Sequence, residues 1–341
     1  GRGFMEINSA GMRGSEHKLA KPDDVYRIAV IGDSYSEAKQ VPFDSTYTSL
    51  LPSRLESCGF QAGKRIETLN FGVSGYGTAQ ELILLRERAV RYQPDMVLLQ
   101  FTGSNDVRNN SPVLEQTKIR PFFVLGADGT LHLDDSFTMR PGFRRLFTPA
   151  WRVYRSVVPY SRLAQLVRAA SHRKDSQRKE AQLAVAEAGL EEAELFPPSE
   201  PQWEEAWRVT EALLVEVSRE AARHQAETLV VTVPWPAQLL PDPRKREAFA
   251  ARVGVPDLEY PDRRVEEFGR AHDIPVLTLA PGMAQVAEAG PVFLNGFGKH
   301  LGIGHWNPAG HRAAAEVIAS SLCSRSPRFL RDAPQEGNRP A

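Results

Sequence analysis

A short apolar run near the N-terminus constrains this chain more than any other feature. Residues 28–32 read Ile-Ala-Val-Ile-Gly, and Asp33 and Ser34 follow without a break. A run of this kind, rich in β-branched residues, is typical of a strand that is buried on both faces of a parallel sheet. A serine directly after such a strand lies at the carboxyl edge of the sheet, where open α/β folds bind their ligands. By itself, Gly-Asp-Ser also fits an ordinary polar turn.

Four further apolar runs repeat this pattern along the chain, with helical segments between them. Together with the first, they predict strands at 28–32, 66–71, 95–101, 228–233 and 274–279. Strands that alternate with helices favour a parallel sheet with right-handed crossovers. We therefore expect one α/β domain over residues 26–322, built on a five-stranded parallel sheet.

Three parts of the chain do not follow this alternation of strands and helices. Residues 1–25 are polar and irregular, and we expect them to wrap the surface. Residues 107–202 form a helical insertion with a small β-hairpin at 122–133. Residues 323–341 are rich in proline and arginine, which predicts a loose C-terminal tail.

Capping residues predict where several helices begin. Asp44 or Ser45 is expected to cap the first long helix, and Thr78 to cap the helix after the second strand. Asn307, which proline follows, is expected to cap the last helix. The segment from Gly296 to Gly304 is expected to be a glycine-rich loop that leads to this last helix.

The basic and acidic residues of this chain balance each other. The chain has 42 basic and 42 acidic residues, so its formal net charge is zero. Nothing in this composition points to nucleic acid. No apolar run approaches the 18 residues that would indicate a membrane span.

The two cysteines and the start of the chain bear on its compartment. Cys58 and Cys323 have no metal-ligand spacing; buried thiols are the expected state, and a single disulfide remains open. The chain starts at Gly1 and shows no signal peptide, so we infer that its natural start has been removed. These features favour a bacterial envelope protein, periplasmic or extracytoplasmic, over a cytoplasmic one.

Four polar loops are predicted to meet at one edge of the sheet. They carry Ser34, Gly75, Asn105 and His305. Because a serine hydroxyl is hardly ionised at neutral pH, it needs a neighbouring base, and His305 suits that role. An oxyanion needs hydrogen-bond donors, which the amide N–H groups of Ser34 and Gly75 and the side chain of Asn105 can supply. A glycine at position 75 leaves room for a substrate.

These four blocks resemble the SGNH (GDSL-type) hydrolases, whose motifs centre on Ser, Gly, Asn and His. The matching positions are Ser34, Gly75, Asn105 and His305, in the same order. The resemblance covers the α/β core and not the insertion. It implies a flavodoxin-like three-layer α/β/α sandwich, and ester hydrolysis through an acyl-enzyme without a metal or organic cofactor.

The chain departs from this family pattern beside the histidine. In the family an aspartate commonly stands three residues before the histidine, or two in some branches, where this chain has Gly302 and Ile303. A missing carboxylate leaves the imidazole tautomer less controlled. We expect a dyad of Ser34 and His305 with a backbone carbonyl of Gly302 or Ile303 as third partner, and a carboxylate from elsewhere in the chain is the alternative. Asp33 is expected to support its own loop through backbone hydrogen bonds.

The expected function is hydrolysis of an O-acyl ester, with acetyl as the favoured acyl group, on a small molecule or a carbohydrate. Transfer of the acyl group to a sugar hydroxyl would use the same residues and remains an alternative. A binding or scaffold protein that keeps the loops and has lost turnover is a further alternative. The sequence leaves the oligomeric state open.

Residues 142–170 combine aromatic side chains with a high density of arginine. One interpretation is a cover helix whose arginine stems lie over apolar surface. The other is a lid or face that meets an acyl chain, an anionic polymer or a membrane surface.

Overall fold

The computed structural model describes residues 7–103, 105–162, 165–166 and 195–325. The strands in this part of the chain are β1 Val25–Ile31, β2 Arg65–Asn70, β3 Met96–Phe101, β4 Phe122–Leu125, β5 Leu131–Asp134, β6 Glu227–Thr232, β7 Val276–Thr278, β8 Asn295–Phe297 and β9 His300–Trp306. Strands β2, β1, β3, β6 and β7 form one sheet in this order, and every neighbouring pair is parallel. The predicted five-stranded parallel sheet is therefore confirmed.

The strand order identifies a doubly wound sheet of the flavodoxin type. Numbered by chain order within the sheet, it reads 2-1-3-4-5. The direction of winding reverses between β1 and β3, which leaves a crevice at their carboxyl ends. Ser34 follows β1 and Asn105 follows β3, so both lie at this switch point.

Helices cover both faces of the sheet and make the three predicted layers. The helices in the described part of the chain are α1 Ser34–Glu37, α2 Tyr47–Ser57, α3 Thr78–Glu87, α4 Asp106–Asn109, α5 Pro141–Arg145, α6 Pro149–Val157, α7 Pro201–Arg223, α8 Pro243–Val253, α9 Tyr260–Ala271, α10 Ala280–Ala289 and α11 Pro308–Arg325. One core packs the sheet against α3, α7 and α9, and the other packs it against α2, α10 and α11. Successive residues of β1 point to opposite cores, Ile28 to one and Ala29 to the other. This explains why the strand is apolar at every position.

Two predicted helix caps are wrong by one or two residues. Helix α2 is capped by Thr46, whose Oγ1 accepts a hydrogen bond from the Ser49 N–H, because Asp44 and Ser45 already belong to a 3₁₀ turn. Helix α3 is capped by Gly77, so Thr78 is its first residue.

The predicted loop from Gly296 to Gly304 is wrong, because this segment folds as the antiparallel hairpin of β8 and β9. His305 therefore lies on a strand. Gly296 has φ +85°, and a Cβ there would lie 1.8 Å from the His300 carbonyl oxygen, so the hairpin requires a glycine at this position. The predicted cap of the last helix is confirmed, because Asn307 Oδ1 accepts from the N–H groups of Ala309 and Gly310.

Outside the sheet, some segments agree with the sequence-based predictions and others do not. The predicted hairpin is confirmed as β4 and β5. The N-terminal segment is not confined to the surface, since the buried Arg13 guanidinium donates to the carbonyls of Glu37, Ala38 and Val41. Helix α11 runs to Arg325, so the predicted tail begins inside a helix. Residues 163–164, 167–194 and 326–341 lie outside the described residues.

The cysteines form a disulfide between Cys58, at the end of α2, and Cys323 in α11. Buried thiols were the expected state, and that expectation is wrong. Helices α2 and α11 pack side by side on one face of the sheet, which brings together two cysteines 265 residues apart.

Candidate active site

The central feature of the site is a hydrogen bond between the side chains of Ser34 and His305. The distance from His305 Nε2 to Ser34 Oγ is 2.8 Å. Ser34 is the first residue of α1, directly after β1, and His305 lies near the end of β9. Both side chains are half-buried. A hydroxyl within hydrogen-bond reach of an imidazole is the geometry that activates a serine nucleophile.

A buried amide holds the turn that carries Ser34. Gln100 Oε1, on the central strand β3, accepts from the Asp33 N–H at 3.2 Å and from the Ser36 hydroxyl at 2.8 Å. A Cβ at Gly32 would lie 2.5 Å from this oxygen, so only glycine lets the backbone pass. The sequence analysis missed Gln100. A lone polar residue inside the apolar run of β3 was the signal that could have found it.

Asp33 joins the nucleophile turn to Asn105. Its carboxylate is fully buried, and Oδ1 accepts from the Tyr35 N–H at 2.9 Å. The expected backbone hydrogen bond is therefore present. Asp33 Oδ2 also accepts from Asn105 Nδ2 at 3.0 Å. Because a carboxylate can only accept, this contact fixes which end of the Asn105 amide carries the N–H groups, and one of them is left to serve the site.

Gly75 lies on an exposed loop beside the same turn. Its φ is +80°, and an added Cβ would meet nothing within 4 Å. The loop is tied to the turn, because the Val73 N–H donates to the Gly32 carbonyl at 2.9 Å. The Gly75 carbonyl accepts from the Arg120 guanidinium. In the described residues, the N–H groups of Ser34 and Gly75 have no hydrogen-bond partner, so both are free to bind an oxyanion.

His305 has no acceptor for its second ring nitrogen among the residues that the structure describes. The expected bond to a carbonyl of Gly302 or Ile303 is absent. Gly302 is instead packed against Phe293 and Leu240. Within the described chain, Ser34 and His305 thus form a dyad.

Packing fixes the imidazole where a carboxylate is missing. The ring of Tyr35 lies 4.9 Å from that of His305, centroid to centroid, and tilts by 35°. The neighbouring Gly304 carbonyl accepts from Asn295 Nδ2 at 2.7 Å, which ties β9 to β8. Burial lowers the pKa of His305 below its usual value, and the negative charge of Asp33 partly offsets this change.

Two further carboxyl groups are buried close to Asp33. Glu81 and Asp106 are fully buried, at the starts of α3 and α4. Burial raises the pKa of both carboxyl groups; the charge of Asp106 and then that of Asp33 raise the pKa of Glu81 further, and the charge of Asp33 raises that of Asp106. The sequence did not single out Glu81. In the described part of the chain, no group of three or more His, Cys, Asp or Glu side chains is arranged to hold a metal ion.

Most of the chain matches the model of a known protein family. A model described as the GDSL-like lipase/acylhydrolase family matches residues 30–313. An arylesterase of Vibrio mimicus is 29% identical over 86 residues, a match that covers 25% of this chain and 41% of that protein.

Solved structures with a similar fold share little sequence with this chain. LAE5, an alpha/beta hydrolase enzyme from the metagenome of Lake Arreo, aligns with a TM-score of 0.43 at 15% identity. Axe2, an acetylxylan esterase from Geobacillus stearothermophilus, aligns with a TM-score of 0.42 at 12% identity. Each alignment covers 87% of this chain and 94% of the other.

The family match spans most of the chain and includes all four residues of the predicted blocks. The Ser34 hydroxyl, the His305 imidazole and the Asn105 amide lie together at the carboxyl end of the parallel sheet. The chain therefore belongs to the GDSL-like lipase/acylhydrolase family and is a serine hydrolase of the GDSL type.

Proposed function

We propose that this protein hydrolyses an O-acyl ester through an acyl-enzyme on Ser34. The 2.8 Å hydrogen bond from Ser34 Oγ to His305 Nε2 is the observation that carries the proposal. This contact pairs a nucleophile with a base whose pKa is held below its usual value by burial. His305 is therefore neutral near pH 7 and ready to accept a proton.

The reaction follows from these groups. Ser34 Oγ attacks the ester carbonyl carbon while His305 Nε2 takes the hydroxyl proton. The oxyanion that forms is bound by the N–H groups of Ser34 and Gly75 and by the Asn105 amide. His305 then gives its proton to the departing alcohol. Water, deprotonated by His305, attacks the acyl-serine, and the acid leaves as Ser34 recovers its proton.

The exposed rim of the site supports a bulky alcohol as the leaving group. Gly75, Ile303 and Gly304 around the dyad are exposed, so a large alcohol such as a carbohydrate can approach Ser34 from this side. Acetyl is the acyl group that we propose for this ester.

The disulfide supports an extracytoplasmic location, which we propose for this protein. Disulfides persist in oxidising compartments and are rare in the cytosol. Cys58 and Cys323 are bonded to each other. An enzyme of the bacterial envelope would meet acylated polysaccharides there. In the described residues no helix is long and apolar enough to cross a membrane.

The test is an esterase assay with 4-nitrophenyl esters of increasing acyl length. We expect acetyl to be the best substrate and Ser34→Ala to lower kcat/KM by at least about 10⁴-fold. Ser53→Ala, which removes an exposed hydroxyl from α2, is the matched control and should keep full activity. Equal rates for the Ser34→Ala variant and the native chain would refute the proposal.

The alternatives give different outcomes. Transfer of the acyl group to an added sugar acceptor, with little free acid formed, would indicate a transferase. A folded protein in which a fluorophosphonate probe leaves Ser34 unlabelled would indicate a binding function.

A further inference from the structure

The surface of residues 136–162, which we call the arginine-rich face, is unlike the rest of the molecule. It contains six arginines and no lysine, aspartate or glutamate. Among the described residues, none of the six arginines lies within ion-pair distance of a carboxylate, although the charge of Arg140 contributes to the lowered pKa of Asp134. The cover-helix interpretation is wrong for the described part, because α5 and α6 contain no buried residue.

Helix α6 separates apolar and cationic side chains. At 100° per residue, Val153, Tyr154 and Val157 fall on one side and Arg152 and Arg155 on the other. Val153 is 62% exposed, Tyr154 45% and Val157 52%. An exposed apolar strip beside unpaired cations is the pattern of a helix that lies in the plane of a membrane surface.

Aromatic side chains extend the apolar strip beyond α6. The ring centroids of Phe137 and Phe143 are 4.8 Å apart, and those of Phe143 and Phe147 are 5.0 Å apart. Phe147 is 57% exposed and Met139 72%. Exposed apolar groups of this size, clustered on one face, mark an interaction surface.

The face is connected to the rim of the active site. A Cβ on Gly142 would lie 2.9 Å from Ile119 Cδ1, so α5 rests on the segment before β4. The next residue, Arg120, donates to the Gly75 carbonyl. The arginine-rich face is therefore linked to the Gly75 loop through residues 119 and 120.

We propose that the arginine-rich face binds a lipid bilayer that carries anionic headgroups. Guanidinium groups pair with phosphate oxygens in a forked geometry, while the aromatic and valine side chains enter the acyl boundary. An anionic polysaccharide would engage the arginines but leave the apolar strip in water. A second copy would oppose six arginines with six of the same charge, which disfavours self-association.

Vesicle sedimentation with the full chain tests the proposal. We expect binding to vesicles of phosphatidylcholine and phosphatidylglycerol, weaker binding at high salt, and little binding to phosphatidylcholine alone. Arg144→Gln with Arg145→Gln should weaken the partition coefficient about tenfold or more. Phe147→Ser with Val153→Ser should also weaken it, because apolar contacts are lost.

Matched controls separate the face from general surface effects. Arg208→Gln with Arg219→Gln removes two exposed arginines from α7, and Val286→Ser changes an exposed apolar residue on α10. These controls should bind as the native chain does, and every variant should keep its hydrolysis of a soluble acetyl ester. Equal binding to neutral vesicles, no vesicle binding, or binding to dextran sulfate alone would each overturn the proposal.

Discussion

Asp33 is the residue that links the parts of the site. It accepts from the Tyr35 N–H next to the nucleophile and from the Asn105 side chain, and its charge raises the pKa of His305. This carboxylate is fully buried and makes no hydrogen bond to the imidazole. It therefore acts on His305 through the electric field and not as the third member of a triad.

Replacing Asp33 with Asn should move the acid limb of the kcat/KM profile to lower pH. The limb reports the pKa of His305 in the free enzyme, and loss of the negative charge lowers that pKa. The rate should also fall, because an Asn side chain no longer has two acceptor oxygens to hold both the Tyr35 N–H and the Asn105 amide. The measurement is a pH–rate profile with a 4-nitrophenyl acetate substrate. Asp44→Asn, an exposed carboxylate before α2, is the control, and a limb at unchanged pH in the Asp33→Asn variant would contradict the prediction.

His311 has a structural role that makes stability depend on pH. It is 2% exposed, its Nδ1 accepts from the Tyr47 N–H, and its ring stacks on that of Tyr47. Burial, together with the smaller effects of the charges of Arg13 and His305, lowers the pKa of His311 to about 3. The unfolded chain therefore binds a proton at His311 below about pH 6.5 that the folded chain does not bind.

The contribution of His311 to the free energy of unfolding should consequently decrease as the pH is lowered. The advantage of the native chain over His311→Gln should shrink by about 1.4 kcal/mol for each pH unit below about 6.5, until the folded-state pKa is reached. The raised pKa values of Glu81 and Asp106 act in the opposite direction, but they are common to both proteins and cancel in the difference. Urea unfolding of the native chain and the His311→Gln variant at pH 7.0 and 4.5 measures the difference between their free energies of unfolding. If the two proteins differ in stability by the same amount at both pH values, His311 is not buried in its neutral form.

At the level of elements, the loop at residues 72–77 depends on a contact from the insertion. The Arg120 guanidinium donates to the Gly75 carbonyl and lies 3.4 Å from the Glu115 carboxylate. The contact holds the Gly75 carbonyl and so restricts the backbone at residue 75, whose own N–H has no partner among the described residues. The insertion thus contributes a positioning residue to a site built from the parallel sheet.

Arg120→Ala should lower kcat and kcat/KM by a similar factor, about tenfold to a hundredfold. A donor that binds only the oxyanion affects the transition state and leaves the ground state unchanged. Arg120→Lys keeps the charge and should restore part of the activity. Arg91→Ala, at an exposed position after α3, is the matched control. A rise in KM at constant kcat would show that Arg120 acts in substrate binding instead.

At the level of the whole molecule, one covalent bond joins the first long helix to the last. Cys58 and Cys323 are separated by 265 residues, so the disulfide closes nearly the whole α/β core into a loop. A crosslink over a loop of this length lowers the entropy of the unfolded chain. The bond also holds α11, which follows His305, against α2.

Reduction should therefore destabilise the protein by about 2 to 5 kcal/mol. Thermal unfolding with and without a thiol reductant measures the loss, and Tm should fall by several degrees. The Cys58→Ala, Cys323→Ala double variant should match the reduced native chain and should not respond to reductant. A native Tm that reductant leaves unchanged would indicate that the bond does not form.

Local sequence patterns determined the framework of this protein. The apolar runs predicted all five parallel strands, because the residues that bury a strand are close together in the sequence. The same runs placed Ser34 and Asn105 at one edge of the sheet, since parallel strands present their carboxyl ends together. His305 was expected to reach Ser34 from a loop, and it lies instead on strand β9 of an antiparallel hairpin, with its Nε2 2.8 Å from Ser34 Oγ.

The tertiary structure alone decided the contacts between residues far apart in sequence. The Cys58–Cys323 bond, the Gln100 amide under the nucleophile and the Arg120 contact to Gly75 each join separate elements. Periodicity and capping rules describe a residue's immediate neighbours, whereas these pairings depend on how helices pack across a finished sheet. The packing of the Tyr35 ring against the His305 ring was likewise decided by the tertiary structure. A carboxylate partner would stand at a fixed spacing from the histidine in the sequence, whereas an aromatic partner leaves no such motif.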